Sequence, residues 1–450
     1  MQKFIYNLFR FSSSTQFKLN KRVTPIGFGV FCCVVISGIL GIDTNQSSTY
    51  QAFTFLFSII IISLIYSLKT SENISATRIL PKFSTVDTKL KYRIVIHNKT
   101  KKTQIGLKLS ENFADPRPNF SEFRESFKTS PNKFNYLDVF FLYYHWVWLV
   151  SRKQCITAKT LKLPPLPPNS KTEIMGEITP KYRGVGRLIS LTIAIPDPFG
   201  FIYNCTTINL PQSLLILPKL YQLPSIQLPG FRKYQSGGVN SASSVGESSE
   251  FRSLRDYRPG DSLRKIHWKS WAKTGKPIVK EEQDEFFVRH ALILDTFQDQ
   301  KYSEILEEAI SIAASLACEI QTQESLLDLM FVGNEAYCFT FGRGISHTDK
   351  MLEILASVVA CQDKNFDSII PVVMERISLL SGCICIFLCW DEDRKKLVNY
   401  LQSRNIHTLV LIITDPKNKL ENFDLESQSN QLENFHILEL GKIQTGLMNI

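Results

Sequence analysis

Gly246–Phe286 reads GESSEFRSLRDYRPGDSLRKIHWKSWAKTGKPIVKEEQDEF. Tyr257-Arg258-Pro259-Gly260-Asp261 has the chemistry of a tight turn, because Pro presets φ and Gly accepts φ > 0. Asp261 stands where a helix N-cap carboxylate belongs. The spacing predicts a helix over Ser262 to Lys273, stopped by Gly275 with Pro277 just beyond. On that helix Lys265, Lys269 and Lys273 share one stripe, while Leu263, Ile266 and Trp271 point the other way with His267 among them. Arg264 projects between Trp268 and Trp271, so a partly buried guanidinium is expected, with Asp256 or Glu250 as its carboxylate. Nine Lys or Arg and two Asp lie between Arg252 and Lys280. Two readings follow. One is a helix packed by its Trp face with solvated lysines. The other is a docking surface for an anionic or acidic partner.

The same residues form a long, gap-free pattern: Gly246, Glu250-Phe251, Leu254-Arg255, Tyr257, Pro259-Gly260-Asp261, Arg264 to Lys269, Ala272 and Val279-Lys280-Glu281. It resembles the bacterial domain-of-unknown-function family 58, a resemblance that names a relative and leaves the activity open.

Outward from this stretch, 450 residues leave room for two or three domains. The formal net charge of +10 suits an anionic membrane face or an acidic partner. Ten cysteines lack framework spacing, as buried thiols in a reducing compartment would.

Ile26–Ile42 and Ala52–Leu68 are uncharged runs of 17 residues each. Each is just long enough to cross ~30 Å of hydrocarbon as a helix. Lys or Arg cluster before Val23 and after Leu68, and the connecting loop holds only Asp43. The expectation is a multi-pass protein of the inner (cytoplasmic) membrane, with both termini in the cytoplasm. A cleaved signal peptide or a buried core pair would be the alternatives for these runs.

From about Ser75 to Pro218 short alternating runs predict an antiparallel β-sandwich: Lys91–His97, Gln104–Ser110, Lys171–Ile178, Gly186–Ile195, Phe201–Ile208 and Leu214–Leu217. Pro180–Gly184 and Pro196–Gly200 are turn chemistry. The family resemblance extends here through the Arg-Gly and Asp-Pro-Phe-Gly turns, and implies an immunoglobulin-like sandwich. Tyr136–Val150 interrupts it with seven aromatic residues in fifteen. Either it covers one end of the sandwich or its rings sit at a membrane interface.

After the motif, continuous apolar strands alternate with amphipathic helices, which predicts a mostly parallel sheet covered on both faces. The pattern looks like a von Willebrand factor A-like domain, and the family resemblance supports that. Such a domain holds a divalent cation through Asp-x-Ser-x-Ser. Here Asp295 has the first position, but Phe297 and Asp299 replace the serines. Asp295 and Asp391 are therefore candidates for a weak Mg²⁺ site at most, otherwise cappers of strands and helices. No other cofactor is expected.

The predicted organisation is a multi-domain chain. It comprises a cytoplasmic segment 1–22, a transmembrane helical hairpin 23–70, a β-sandwich 75–218 with an aromatic insertion 120–152, a linker 219–249, the motif 246–286 and an α/β domain 287–450. No phosphate-cradling loop, His-Glu-x-x-His or Cys-x-x-Cys occurs. His267 reads as a packed side chain, and no residue is singled out as catalytic. The leading expectation is a non-catalytic, membrane-anchored adaptor. Its partner-binding residues would be Glu250, Arg255, Asp256, Tyr257, Pro259, Gly260, Asp261, Arg264, Lys265, His267, Trp268, Lys269 and Lys273. The family resemblance implies a MoxR-type AAA+ ATPase as partner in an assembly or maturation system. The alternatives are binding of anionic lipid or nucleic acid through the lysine stripe, and a hydrolase using His267. Acids at Glu281, Glu282, Asp284 and Glu285 weigh against nucleic acid.

Overall fold

The computed structural model describes residues 2–40, 47–67, 74–128, 138–224, 250–261, 263–283, 289–299, 302–322, 326–342, 345–416 and 434–450. The chain divides into two units, Met1–Leu217 and Pro218–Ile450.

The first unit begins with helices α1 (Gln2–Arg22), α2 (Pro25–Leu40) and α3 (Ser47–Ser67). Of the two expected spans, α3 is long and apolar enough to cross a membrane, whereas α2, at 16 residues, is apolar but shorter. The loop expected to join them, 41–46, lies outside the described residues. Side chains such as Ile26, Phe28, Ile36, Phe55 and Ile65 are exposed.

Strands β1 (Ile74–Ile79), β2 (Phe83–Thr85), β3 (Leu90–Asn98) and β4 (Lys108–Phe113) follow. After α4 (Phe120–Lys128) and α5 (Asp138–Lys153) come β5 (Ile156–Ala158), β6 (Leu161–Lys162), β7 (Ser170–Pro180), β8 (Gly184–Pro196) and β9 (Tyr203–Leu217). They form two sheets, ordered β1-β3-β7-β5 and β2-β9-β8-β4-β6. Along β3 every second residue (Tyr92, Ile94, Ile96) is buried, as a strand period of two dictates, and these meet Leu109, Leu191, Ile193 and Ile216 of the other sheet. The sequence suggested two strands where β9 runs on as one. A bulge lets it pass Pro211, because residues 210 and 211 have no partner in the ladder with β8. Within this core Arg78 and Glu111 form a buried ion pair, Nη2 to Oε2 2.6 Å. Tyr92 donates to the same carboxylate.

Helices α4 and α5 of the aromatic insertion pack on α1. Trp146 of α5 is only 2% exposed and packs edge-on against Tyr6 of α1 and Phe123 of α4, ring centroids 5.7 Å apart in each case. Phe9 of α1 joins them, while Trp148 faces outward.

The Pro196–Gly200 turn grips the apolar helices. Asp197, 5% exposed, accepts from the backbone N–H of Phe201 (2.7 Å) and Ile202 (3.1 Å) with one oxygen. The other oxygen accepts from the Ser63 hydroxyl on α3 at 2.6 Å. Thr24 donates from its N–H to Phe201 O and from its hydroxyl to Gly200 O. Gly27 is required there, since a Cβ would stand 2.2 Å from the Phe201 carbonyl oxygen. Asp197→Ala leaves one buried and two part-buried donors short of an acceptor. A loss of about 1–3 kcal/mol in the first unit is expected, read as a lower midpoint of thermal unfolding.

The second unit carries a small ribbon, described below, and a six-stranded sheet. The sheet comprises β12 (Arg289–Leu294), β13 (Leu326–Val332), β14 (Ala336–Phe341), β15 (Gly382–Phe387), β16 (His407–Thr414) and β17 (Phe435–Glu439). Its order is β14-β13-β12-β15-β16-β17, parallel throughout except for the edge strand β14. Helices α7 (Glu304–Thr322), α8 (Ile345–Ser357), α9 (Ile370–Arg376), α10 (Glu392–Ser403) and α11 (Ile443–Leu447) accompany it. Ala291, Ile293, Cys383 and Cys385 face α9 and α10 through Ile369, Val373, Leu397 and Leu401. The fully buried Leu292 and Leu294 point to the opposite face, where α7 packs. That double cover explains the unbroken apolar strands.

His290 on β12 is buried at 3% exposure, and its Nδ1 meets no hydrogen-bond partner among the described residues. Burial pushes its pKa down to about 4. The folded unit therefore binds this proton less well than the unfolded chain, and stability falls as pH drops from about 6.5 towards 4. At pH 5 this amounts to about 2 kcal/mol. Urea midpoints at pH 7 and 5 should diverge more for wild type than for His290→Leu.

Candidate functional site

Strands β10 (Glu250–Asp256) and β11 (Ile278–Gln283) pair antiparallel, with Asp256 opposite Ile278. The residues between them form the motif. Gly260, at φ 106°, makes the turn that Pro259 begins, and Asp261 N–H donates to Arg258 O at 3.0 Å. The single helix expected over Ser262–Lys273 does not form. A 3₁₀ turn spans Leu263–Lys265, and Ile266 then bridges to Val279 of β11. Helix α6 starts only at Trp268 and ends at Thr274. The physical reason is burial: Ile266 and Val279 are 6% and 3% exposed, and the His267 N–H goes to Ile278 O. Gly275 closes α6 in the left-handed region at φ 73°, as expected.

Two roles change in consequence. Asp261 is not the N-cap, a position that falls to His267. Asp261 instead takes both Nη atoms of Arg255 at 2.7 Å and the Arg258 N–H at 2.8 Å. Arg264 is exposed rather than buried between the tryptophans. The motif's bidentate guanidinium is thus Arg255, and Asp261 takes both of its Nη atoms. The lysine stripe also breaks up: exposed Lys269 and Lys273 lie one turn apart on α6, but residue 265 belongs to the 3₁₀ turn. The side chains of Glu250 and Lys265, and Ser262 altogether, lie outside the described residues. Tyr257 is half-buried and Pro259 exposed. The rings of Trp268 and Trp271 stack at 5.2 Å. His267 Nδ1 lies 2.6 Å from Ser270 Oγ, a contact within one helical turn.

Arg255 holds the Asp261 carboxyl down at about 2. A carbon-detected titration should place its midpoint there and should return it towards 3.8 in Arg255→Gln. As pH falls from that ordinary value to the lowered one, the turn loses its clamp.

The second candidate lies at the carboxyl ends of β12 and β15. Strand order reverses there, since β13 follows β12 on one side and β15 lies on the other, and such switch points open a crevice. A cavity of about 520 Å³ occupies it, lined by Phe297, Asp299, Lys364, Phe366, Asp391 and Arg394 among others. The two acids expected to hold Mg²⁺ meet across a guanidinium instead. Arg394 Nε binds Asp295 Oδ2 at 2.7 Å, and Arg394 Nη1 binds Asp391. Asp391 caps α10 by accepting from Arg394 N–H at 3.1 Å, which aims the arginine back at β12. Asp295 is fully buried and also accepts from Phe297 and Leu388 N–H. Burial pushes its carboxyl up, and Arg394 opposes that. Phe297 packs edge-on against Phe366, over whose ring the guanidinium sits at 4.6 Å. Among the described residues no three His, Cys, Asp or Glu side chains gather as metal ligands would. Arg394 escaped the sequence reading. Its one signal was an arginine three residues after a helix-capping aspartate.

The family described as "Protein of unknown function DUF58" matches residues 253–378, from β10 through α9 and its flank. The matched segment holds the ribbon and three of the six strands of the sheet, including Asp295. A protein of Bacillus subtilis (strain 168) described as "Uncharacterized protein YeaD" is 28% identical over 176 residues, covering 39% of this chain and 42% of that one. Less than half of that relative's length is therefore matched. Among solved structures, Salmonella alpha-2-macroglobulin reacted with methylamine is 12% identical over 36% of this chain and 8% of its own, at a TM-score of 0.19. A cohesin module from a Clostridium perfringens glycoside hydrolase is 10% identical over 32% of this chain and 98% of its own, at 0.17. At those scores neither informs the fold.

Proposed function

We propose that this DUF58 protein is a membrane-anchored, non-catalytic adaptor whose Pro218–Ile450 unit receives a protein partner. The observation that carries this reading is the crevice beside β12 and β15. Its strongest charges neutralise one another through Arg394, so it offers shape and a polar rim rather than a free acid or base. Asp299 and Lys364, both exposed, supply that rim. The strand order with one antiparallel edge supports a von Willebrand factor A-like domain, and the two packed sheets of the first unit support an immunoglobulin-like sandwich. The apolar helices α2 and α3 with flanking cations support anchoring as a hairpin at the inner membrane, both termini cytoplasmic. The family resemblance points to a MoxR-type AAA+ ATPase as the partner.

Co-purification from membranes in mild detergent tests the proposal. Wild type is expected to retain the ATPase, and Lys269→Glu with Lys273→Glu to lose it. Equal recovery would remove the ribbon as the contact. Absence of the ATPase from both would remove the named partner.

A second reading has one observation behind it: Lys269 and Lys273 are exposed beside the stacked Trp268 and Trp271, a layout that suits anionic lipid or nucleic acid. It requires binding that weakens steeply with salt.

A further inference from the structure

Helix α1 precedes α2 by only two residues, and its surface has three differently built sides. Its inner side carries Tyr6 and Phe9, 5% and 8% exposed, packed on Phe123 and Trp146. Phe4, Leu8, Phe11 and Leu19 fall within about 80° of one another on the wheel, away from that packed side. They are 73%, 52%, 72% and 53% exposed. Lys3 and Arg10, both exposed, lie along one flank of this apolar stripe, and exposed Arg22 stands at its end. Water is a poor environment for such a stripe, and among the described residues nothing covers it.

The neighbouring helix continues the same chemistry. Tyr143, against Phe9 at 5.8 Å, is exposed, as are Tyr144, Val147 and Trp148 of α5. Arg152 lies over the Trp148 ring at 5.5 Å. Aromatic rings with one wet edge, next to cations, are the composition of a bilayer's polar boundary.

We propose that α1 lies flat in the headgroup region of an anionic bilayer, its Phe4–Leu8–Phe11–Leu19 stripe in the acyl boundary, with the outer face of α5 touching the same surface. The occupant is lipid rather than protein for two reasons on the chain itself. The stripe runs directly into the apolar helices through Val23 and Thr24, so a bilayer that takes α3 lies within reach of α1. The flanking charge is cationic, complementary to anionic headgroups, and an in-plane helix of this kind buries its apolar face ~5–10 Å deep. The proposal rests on the membrane reading above and adds a second, shallower mode of contact. It makes α4 and α5 a bracket that holds α1 by its inner side, so that the outer side is presented rather than free to roll.

The test uses the full-length chain in vesicles of phosphatidylethanolamine and phosphatidylglycerol. A photo-crosslinking phenylalanine analogue is placed at Phe4, Phe11, Tyr6 or Phe57 in turn. Phospholipid adducts are expected at Phe4 and Phe11. At Tyr6 they are expected to be lost in favour of links to α4 or α5. Phe57, exposed on α3, reports the membrane span independently. Lipid adducts at Phe57 with none at Phe4 and Phe11 would overturn the in-plane helix while leaving the span intact. No lipid at Phe57 but lipid at Phe11 would do the reverse. Links from Phe11 to a second copy or another protein would also overturn the proposal. Phe4→Glu with Phe11→Glu alters only outward positions and is expected to abolish lipid adducts from an analogue at Leu8 while those at Phe57 persist.

Discussion

Replacing Arg394 with Met is expected to remove about 3–5 kcal/mol from the Pro218–Ile450 unit, because it strands the buried carboxylate of Asp295 without its cation. Small domains have only ~5–15 kcal/mol in total, so the variant should unfold at much lower urea. Trp390 reports this unit, its ring lying 5.0 Å from Phe435 and 6.0 Å from Phe387. Asp391→Ala should cost far less, because that carboxylate is 48% exposed and water takes over its solvation. Asp295→Leu combined with Arg394→Met should recover much of the loss, since an apolar pair of similar volume replaces a buried ion pair at little net cost. A single Arg394→Met variant as stable as wild type would mean that Asp295 has another counter-charge. Calorimetric titration of Mg²⁺ into wild type is expected to give a flat trace, because Arg394 already neutralises Asp295; saturable heat would make a bound cation the other counter-charge.

The second large effect belongs to the sandwich. The Arg78 and Glu111 side chains are 0% and 4% exposed. Arg78 also donates to Leu210 O, and Tyr92 OH to Glu111, so one guanidinium fastens β1 to β4 and β9 across the two sheets. Burial pushes the Glu111 carboxyl up while Tyr92 and Arg78 pull it back. Arg78→Met leaves that buried acid without its cation, and about 3–5 kcal/mol should be lost. Tyr92→Phe removes one donor and should lower stability by about 1–3 kcal/mol. Differential scanning calorimetry resolves this unit from the other if each melts separately, and the two variants should then shift only one transition.

Legibility followed the range of the forces involved. The strands of the six-stranded sheet were readable because burial on both faces writes itself as an unbroken apolar run, as in Gly382–Phe387. Gly275 ended its helix as expected because a left-handed stop is a local matter. The break before α6 was not readable: nothing near Ile266 announces that it must reach Val279. The roles of Asp261 and Arg264 were misassigned for the same reason, since one assumed helix placed both. Composition identified the Tyr136–Val150 segment as unusual but could not say which tryptophan turns inward, and Trp146 rather than Trp148 does. The acids Asp295 and Asp391 both reach Arg394. What joins them was missed because an arginine on α10 finds Asp295 only after the sheet is assembled.

The Ser63 hydroxyl reaches Asp197 from well inside α3, four residues before that helix ends. A helix advances about 1.5 Å and turns about 100° per residue. Sliding α3 by a single residue would carry Ser63 out of register and swing it a quarter-turn away from its acceptor. The contact therefore works as a key that admits one depth and one rotation.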